Sequence, residues 1–116
     1  MNKIIIHWTA GTYQPNTTDL EHYHFLIDGE GKKHNGKYKP ENNENCNDGK
    51  YAAHTGGGNT GAIGVSMCAM AGFNSAASCG NYPITPVQLE ACFKLCAELC
   101  KKYNIPVENV WTHYEF

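Results

Sequence analysis

The sequence has 116 residues, of which 41% are hydrophobic and 17% charged, and these values are typical of a single globular domain. The net charge of −2 leaves no basic patch, so we expect no nucleic-acid partner. No apolar run approaches the ~20 residues needed to span a membrane. The N-terminus also lacks the charged, apolar and cleavage regions of a signal peptide. These features exclude a membrane span and give no signal for export.

The first stretch of the chain predicts a buried strand that ends in a histidine. Ile4, Ile5 and Ile6 are consecutive β-branched residues, His7 follows them, and Gly11 ends the run. The last stretch, 110–116, is also β-rich and carries His113 at its centre. If the two strands lie side by side, His7 and His113 come within reach of one metal ion. The alternative for either residue is a core histidine that is hydrogen-bonded to backbone.

The residues that follow the first strand predict a short helical turn and then a hairpin. Thr18 or Asp19 is the expected cap of the helical turn. The first hairpin strand covers Tyr23 to Asp28, and 32–38 forms the returning arm. Alternation predicts two faces for the first arm. One face carries Tyr23, Phe25 and Ile27, and the other carries His24, Leu26 and Asp28. We expect the polar run 39–50 to be a surface loop.

The second half of the chain predicts a central strand and one long helix. Residues 62–70 are apolar on both faces, as in a strand covered on both sides. Thr85 followed by Pro86 predicts a helix start, and the helix is expected to cover about 86–103. A helix between two strands permits parallel pairing, and the hairpin adds antiparallel pairs. The expected fold is therefore α/β, with a mixed central sheet and the long helix packed on it.

The cysteine pattern favours reduced thiols in the core. Cys92, Cys96 and Cys100 lie four residues apart, so they follow one stripe of the predicted helix. We expect this stripe to form an apolar face with Leu89, Phe93, Leu99 and Tyr103. Two alternatives remain open: a thiol metal site made by the three cysteines of the stripe, and a disulfide between Cys68 and Cys79 in an oxidising medium.

Four sequence blocks in the same order resemble the zinc-dependent N-acetylmuramoyl-L-alanine amidases of type 2. This family includes phage lysozyme-type amidases and peptidoglycan recognition proteins. The blocks, which span nearly the whole chain, are 4–10, the Tyr-His-Phe-Leu-Ile run 23–27, the segment from Ala53-His54 to Ile63-Gly64-Val65, and the Thr-His-Tyr-Glu run 112–115. The resemblance implies an amidase-like catalytic domain over 1–116, with an amidase/peptidoglycan-recognition-like fold.

The resemblance also implies roles for individual residues. His7 and His113 correspond to two zinc ligands, and Tyr23 corresponds to a tyrosine that assists catalysis. His54 and Asn59 belong to the segment that lines the cleft in the family, although His54 is equally compatible with a plain loop histidine. We add Gly57, whose bare backbone a sugar or stem peptide can approach, and Trp8, which is adjacent to His7, as expected substrate-binding residues.

Two departures from the family pattern affect these expectations. The helix that precedes the Tyr-His-Phe strand in the family is cut to almost nothing here. The family's third zinc ligand, a Cys, Asp or His, and a catalytic Lys follow the second histidine block, whereas this sequence stops at Phe116. We expect a domain that lacks its C-terminal segment. A third ligand from elsewhere in the chain and an incomplete site are the alternatives.

The expected function is a Zn²⁺-dependent hydrolase that cleaves the amide between N-acetylmuramic acid and L-alanine of the stem peptide in peptidoglycan. Catalytic zinc takes three protein ligands and leaves an open position for activated water. The alternative is a binding module of the same fold that recognises muropeptide without cleaving it. The expected partner is peptidoglycan or muropeptide, and the expected state is a monomer. By analogy with phage endolysins, we expect the protein to stay in the cytoplasm of the producing cell and to act on the cell wall after release.

Overall fold

A five-stranded mixed sheet forms the centre of the molecule. The structure is a computed structural model that describes residues 1–73 and 80–112. The strands are β1 (Lys3–Trp8), β2 (Phe25–Ile27), β3 (Lys33–Asn35), β4 (Ala62–Met67) and β5 (Val110–Thr112). Their order across the sheet is β3-β2-β4-β1-β5. The pairs β2–β4, β4–β1 and β1–β5 are parallel, whereas β3 pairs antiparallel with β2. The predicted mixed α/β fold is confirmed.

Two helices accompany the sheet. α1 (Thr17–His22) is a short helix, and Asn16 caps it by accepting a hydrogen bond from the Asp19 backbone amide. The expected cap at Thr18 or Asp19 is therefore wrong by two or three residues. α2 (Pro86–Tyr103) has the bounds that the sequence predicts, with Thr85 as its N-cap. None of the helices in the described ranges combines the length and apolarity that a bilayer crossing requires.

The hydrophobic core lies between α2 and one face of the sheet. Alternation turns the odd-numbered residues of β4 and the even-numbered residues of β1 towards the helix. The buried residues of this cluster are Ile4, Ile27, Ile63, Val65, Met67, Cys92, Leu95, Cys96, Leu99 and Ile105. β4 is buried along its whole length because it lies between β1 and β2 and is covered on both faces. The other face of the sheet is mixed, because it carries the buried apolar residues Ile5 and Leu26 together with the buried polar residues His7 and Ser66.

The orientation of α2 differs in part from the prediction. Cys92, Cys96 and Leu99 face the core as expected, but Leu89 and Phe93 are 39% and 58% exposed. The buried positions include Leu95 and the fully buried Gln88. The Gln88 amide donates to the carbonyls of Ile27 and Cys68, which ties the first turn of the helix to the sheet. The sequence pattern did not predict this buried face, because glutamine is usually a surface residue.

The polar run 39–50 is not purely a surface loop. A 3₁₀ turn, Pro40–Glu44, opens it and packs against β4. Asn43 in this turn is completely buried. Its side-chain oxygen accepts from the Ala52 amide, and its side-chain nitrogen donates to the Ala52 carbonyl. A buried asparagine with its polar atoms satisfied is a structural anchor, which composition alone does not reveal.

We predict that the two faces of α2 respond differently to truncation. Leu95→Ala leaves a cavity in the core and should lower the free energy of unfolding by about 2–4 kcal/mol. Phe93→Ala removes a mostly exposed side chain and should cost less than about 1 kcal/mol. Urea unfolding of both variants measures the difference. A larger loss for Phe93→Ala than for Leu95→Ala would contradict the orientation of the helix.

Candidate active site

His7 lies on the face of the sheet opposite α2. Because Ile4 and Ile6 point towards the helix, alternation along β1 turns His7 to the other side. Its side chain is only 4% exposed, although the strand ends one residue later. In the register with β4, His7 is opposite Ser66, whose hydroxyl is fully buried. A strand on both sides of β1 therefore holds this imidazole rigidly.

His54 packs against His7 from the loop that precedes β4. His54 is 7% exposed, and the two ring centroids are 5.1 Å apart. Room for the His54 ring exists because Gly64 on β4 has no side chain. A Cβ atom at Gly64 would lie 2.6 Å from Cγ and Cδ2 of His54, which is too close for any real contact. The glycine is thus a requirement for this packing rather than for a turn.

A chain of hydrogen bonds connects the two histidines with the backbone. His7 Nε2 is 3.1 Å from His54 Nδ1. The Thr55 hydroxyl lies 2.9 Å from the same Nδ1 and 3.3 Å from His7 Nε2. On the far side of the ring, His54 Nε2 is 3.3 Å from the Ala62 carbonyl oxygen. Both ring nitrogens of His54 are therefore engaged inside the protein.

Tyr23 reaches the same face, which the alternation argument did not predict. The strand begins only at Phe25, and Tyr23 is the residue that ends α1. Its ring centroid is 5.2 Å from that of His7. The prediction that Tyr23 shares the face of Phe25 and Ile27, away from His24, is therefore wrong, because strand periodicity does not extend to a helix cap.

Burial shapes the ionisation of Tyr23. Burial raises the pKa of its phenol above 10, against a smaller opposing effect of the neighbouring Ser66 hydroxyl. Ser66 Oγ is buried and makes no hydrogen bond of ordinary geometry with the described residues. At neutral pH the phenol therefore keeps its proton and can act as a hydrogen-bond donor.

His24 is a structural residue. Its Nδ1 accepts from the Gly64 amide, and its Nε2 donates to the Asn43 side-chain oxygen. Burial lowers the pKa of His24 from 6.5 to about 4, so the ring is neutral at pH 7. These hydrogen bonds require a neutral His24 ring, because Nδ1 must keep its lone pair to accept the hydrogen bond from the Gly64 amide. His24 thus links the buried Asn43 to the central strand behind His54.

The glycine-containing loop is shaped by Asn59. The side-chain oxygen of Asn59 accepts from the backbone amides of His54 and Thr55. Gly56 and Gly57 are exposed, and no atom lies within 4 Å of a Cβ built on either. Gly57 has φ +75°, a conformation that favours glycine. The loop thus presents bare backbone to solvent, while Asn59 faces inward and holds it.

The structure brings together some of the expected site residues and not others. His7, Tyr23 and His54 meet on one face. Trp8 is 44% exposed and packs its ring against Phe73, and alternation places it on the face opposite His7. His113 lies outside the described residues, as does Cys79. Within 1–73 and 80–112, no group of three His, Cys, Asp or Glu side chains could hold a metal ion.

The described donors fit part of a zinc site. His7 is a buried imidazole on a rigid strand, which is the type of ligand that zinc prefers. The cysteines of α2 are a poorer donor set. Cys92, Cys96 and Cys100 all lie within the described residues, and they do not form a group of three that could hold a metal ion. The chemistry of the donors therefore points to His7 rather than to the helix.

Two residues that shape the site were missed by sequence reasoning. Asn43 stands in a run of similar polar residues, and nothing in the sequence distinguishes it. Gly64 was noted only as part of the block from 53 to 65. An isolated glycine inside an apolar strand commonly marks a close approach by another group, so that signal was available.

Comparison with known proteins gives a family and a fold. The model of the N-acetylmuramoyl-L-alanine amidase family matches residues 1–116. No curated protein matches the sequence significantly. Among solved structures, Drosophila peptidoglycan recognition protein SD has a TM-score of 0.67 and 19% identity, over 98% of this chain and 69% of that one.

Two bacterial amidases have similar scores. LysC of Clostridium intestinale has a TM-score of 0.65 and 19% identity, over 98% of this chain and 71% of that one. AmiD of E. coli, solved with anhydro-N-acetylmuramic acid-L-Ala-D-gamma-Glu-L-Lys, has a TM-score of 0.65 and 22% identity. That match covers 97% of this chain and 48% of AmiD. At these identities the likeness establishes the fold.

We predict that Gly64→Ala disturbs the His54 packing. The added methyl group meets the His54 ring, so the free energy of unfolding should fall by about 1–3 kcal/mol. Gly56→Ala is the matched control, because its Cβ meets open space, and it should change stability by less than about 0.5 kcal/mol. Urea unfolding checks both values, and equal effects of the two substitutions would rule out the close approach.

We also predict an acid-sensitive contribution from His24. Its pKa is lower in the folded protein than in the unfolded chain, so its contribution is fully present above about pH 6.5. That contribution, about 3 kcal/mol, is lost as the pH falls towards 4. Urea midpoints at pH 7 and 4.5 measure the loss. His24→Gln, which cannot titrate, should show a smaller loss, and an unchanged loss would contradict the assignment.

Proposed function

The chain belongs to the N-acetylmuramoyl-L-alanine amidase family, and from this we propose that it is a zinc-dependent peptidoglycan hydrolase. The bond it cleaves is the amide between N-acetylmuramic acid and L-alanine of the stem peptide. The observation that carries the proposal is the meeting of His7 and Tyr23 on one face of the sheet, with ring centroids 5.2 Å apart. A metal ligand and a phenol donor are the two kinds of group that such hydrolysis needs side by side.

His7 and His113 are the proposed zinc ligands. The parallel register between β1 and β5 pairs Ile6 with Thr112 at its last described step. In the sequence, His7 and His113 directly follow Ile6 and Thr112. We propose that this register continues by one residue, which would make the two histidines neighbours on the same face. When bound, zinc supplies Lewis acidity, which activates water near neutral pH and polarises an amide carbonyl.

Tyr23 is proposed to stabilise the oxyanion that develops on the attacked carbonyl. Its phenol keeps its proton at neutral pH because burial raises its pKa. A donor already held beside His7 costs little reorganisation when charge develops on the substrate. The phenol donates to that oxygen and keeps its own proton, so no further base is needed at this position.

The exposed backbone at Gly56 and Gly57 is proposed to line the substrate cleft. Both glycines are open to solvent, so a sugar or a stem peptide can approach the main chain. AmiD, which shares the fold, was solved with a muropeptide fragment, and this supports a ligand of that chemistry. We propose peptidoglycan as the partner and action on the bacterial cell wall, and the fold is shared with LysCS of Clostridium intestinale, an endolysin N-acetylmuramoyl-L-alanine amidase.

A muropeptide-binding module is the second candidate function. It is favoured by the shared fold, because peptidoglycan recognition proteins LCa and LCx, with a TM-score of 0.66, were solved with bound tracheal cytotoxin. The fold also occurs in peptidoglycan recognition protein SD. The two candidates differ in product, because a hydrolase releases free stem peptide from muropeptide, whereas a binding module returns it intact. Mass spectrometry of the incubated muropeptide separates them.

We predict that His7→Ala abolishes zinc binding at the site. Loss of a group that supports a ligand typically weakens metal affinity about 10–100-fold. Loss of the ligand itself should weaken zinc affinity by more than this. Stem-peptide release should fall in parallel. His34→Ala is the control, because β3 is separated from β1 by two strands. Competition titration with a chelator measures the affinity, and equal affinity in the wild type and His7→Ala would refute the assignment.

Tyr23→Phe should separate binding from catalysis. It removes a donor to the oxyanion and should lower kcat by about 10²–10³-fold. Zinc affinity and KM should change little, because the phenol is proposed to donate its hydrogen bond only to the oxyanion of the transition state. Steady-state hydrolysis of a soluble muropeptide gives both constants. An unchanged kcat would exclude Tyr23 from the chemical step.

A further inference from the structure

We propose that His54 is a positioning residue that fixes which nitrogen of His7 carries the lone pair. The hydrogen bonds that His54 makes determine its own tautomer, and through it the tautomer of His7. The consequence for zinc rests on the proposed function, whereas the tautomer itself does not.

The first step is the bond between His54 and the backbone. A carbonyl oxygen only accepts hydrogen bonds, so the 3.3 Å contact with the Ala62 oxygen requires a proton on His54 Nε2. A neutral imidazole with its proton on Nε2 keeps a lone pair on Nδ1. The Nδ1 atom of His54 is therefore an acceptor, and it faces His7.

The second step transfers this constraint to His7. His7 Nε2 lies 3.1 Å from that acceptor, so the bond forms only if His7 Nε2 carries a proton. The Thr55 hydroxyl can donate to the same His54 atom, and its oxygen lies 3.3 Å from His7 Nε2. One proton arrangement is compatible with these four contacts, with the single lone pair of His54 Nδ1 shared between His7 Nε2–H and the Thr55 hydroxyl. In that arrangement, the lone pair of His7 is at Nδ1.

The surroundings hold this arrangement firmly. His54 and His7 are both more than nine-tenths buried, so water competes little for their nitrogens. Gly64 leaves the space for the ring, and the Asn59 side chain holds the backbone amide of His54. A zinc-ligating histidine commonly donates its other ring N–H to a supporting acceptor, which fixes the ring and raises its basicity. Here the acceptor is a second histidine anchored to a strand carbonyl.

A pair of nearly isosteric substitutions tests the proposal. His54→Asn places an amide oxygen close to the position of Nδ1 and can still accept from His7. His54→Leu has the same shape and no acceptor. Two-bond ¹⁵N–¹H correlation spectra of the metal-free proteins at about pH 8 report the tautomer of His7, and competition titration reports zinc affinity. Thr55→Val is the control, because it leaves the bonds from Ala62 through His54 to His7 intact.

We expect wild type, Thr55→Val and His54→Asn to hold His7 with its proton on Nε2, and His54→Leu to populate both tautomers. Zinc affinity should fall about 10–100-fold in His54→Leu and recover most of this loss in His54→Asn. A wild-type His7 with its proton on Nδ1, or a fixed Nε2 proton in His54→Leu, overturns the positioning role even if zinc binds. If the tautomers are as expected but the wild type does not bind zinc, the proposed function is overturned and the positioning role of His54 is retained.

Discussion

The absence of a side chain at Gly64 is the constraint on which the site depends. β4 is the central strand, buried on both faces, and a single missing Cβ gives the His54 ring a place against it. The Gly64 amide also donates to His24, so one residue positions two imidazoles. Any larger residue would push His54 away from His7. The hydrogen-bonded pair of histidines exists because no side chain projects from β4 at Gly64.

The two faces of the sheet carry different kinds of side chain. The face under α2 is filled by aliphatic residues and cysteines, and the burial of this apolar surface stabilises the fold. The opposite face carries His7, His24, Ser66 and the loop that bears His54. Buried polar groups are costly unless they are paired, and here Asn43 and His24 pair through well-formed hydrogen bonds. This network links the Pro40–Glu44 turn to the central strand on the second face.

Much of the fold could be predicted from local patterns. β1, β4 and the bounds of α2 follow from β-branched runs and from the Thr85-Pro86 start, because these signals act over a few residues. The side of α2 that faces the core could not be read fully, since the buried Gln88 and the exposed Phe93 invert the usual preference. Only tertiary contacts decide such cases.

The sequence predicted which residues form the site better than it predicted the geometry of the site. His7, Tyr23 and His54 were identified through the family resemblance, and the structure brings them together. The predicted face of Tyr23 was wrong because Tyr23 caps the end of α1 and lies before the start of β2. The internal bonds of Asn59 and His54 could not be foreseen, because they depend on how the loop folds back over Gly64.

The most direct measurement is a crystal structure of the zinc-loaded protein with anomalous data at the zinc edge. The account predicts a zinc ion at about 2.0–2.1 Å from Nδ1 of His7, with Nε2 still bonded to His54. It also predicts that His113 is a second ligand and that the Tyr23 hydroxyl faces the open position of the ion. Zinc bound at Cys92, Cys96 and Cys100, or bound anywhere without His7, would contradict the account.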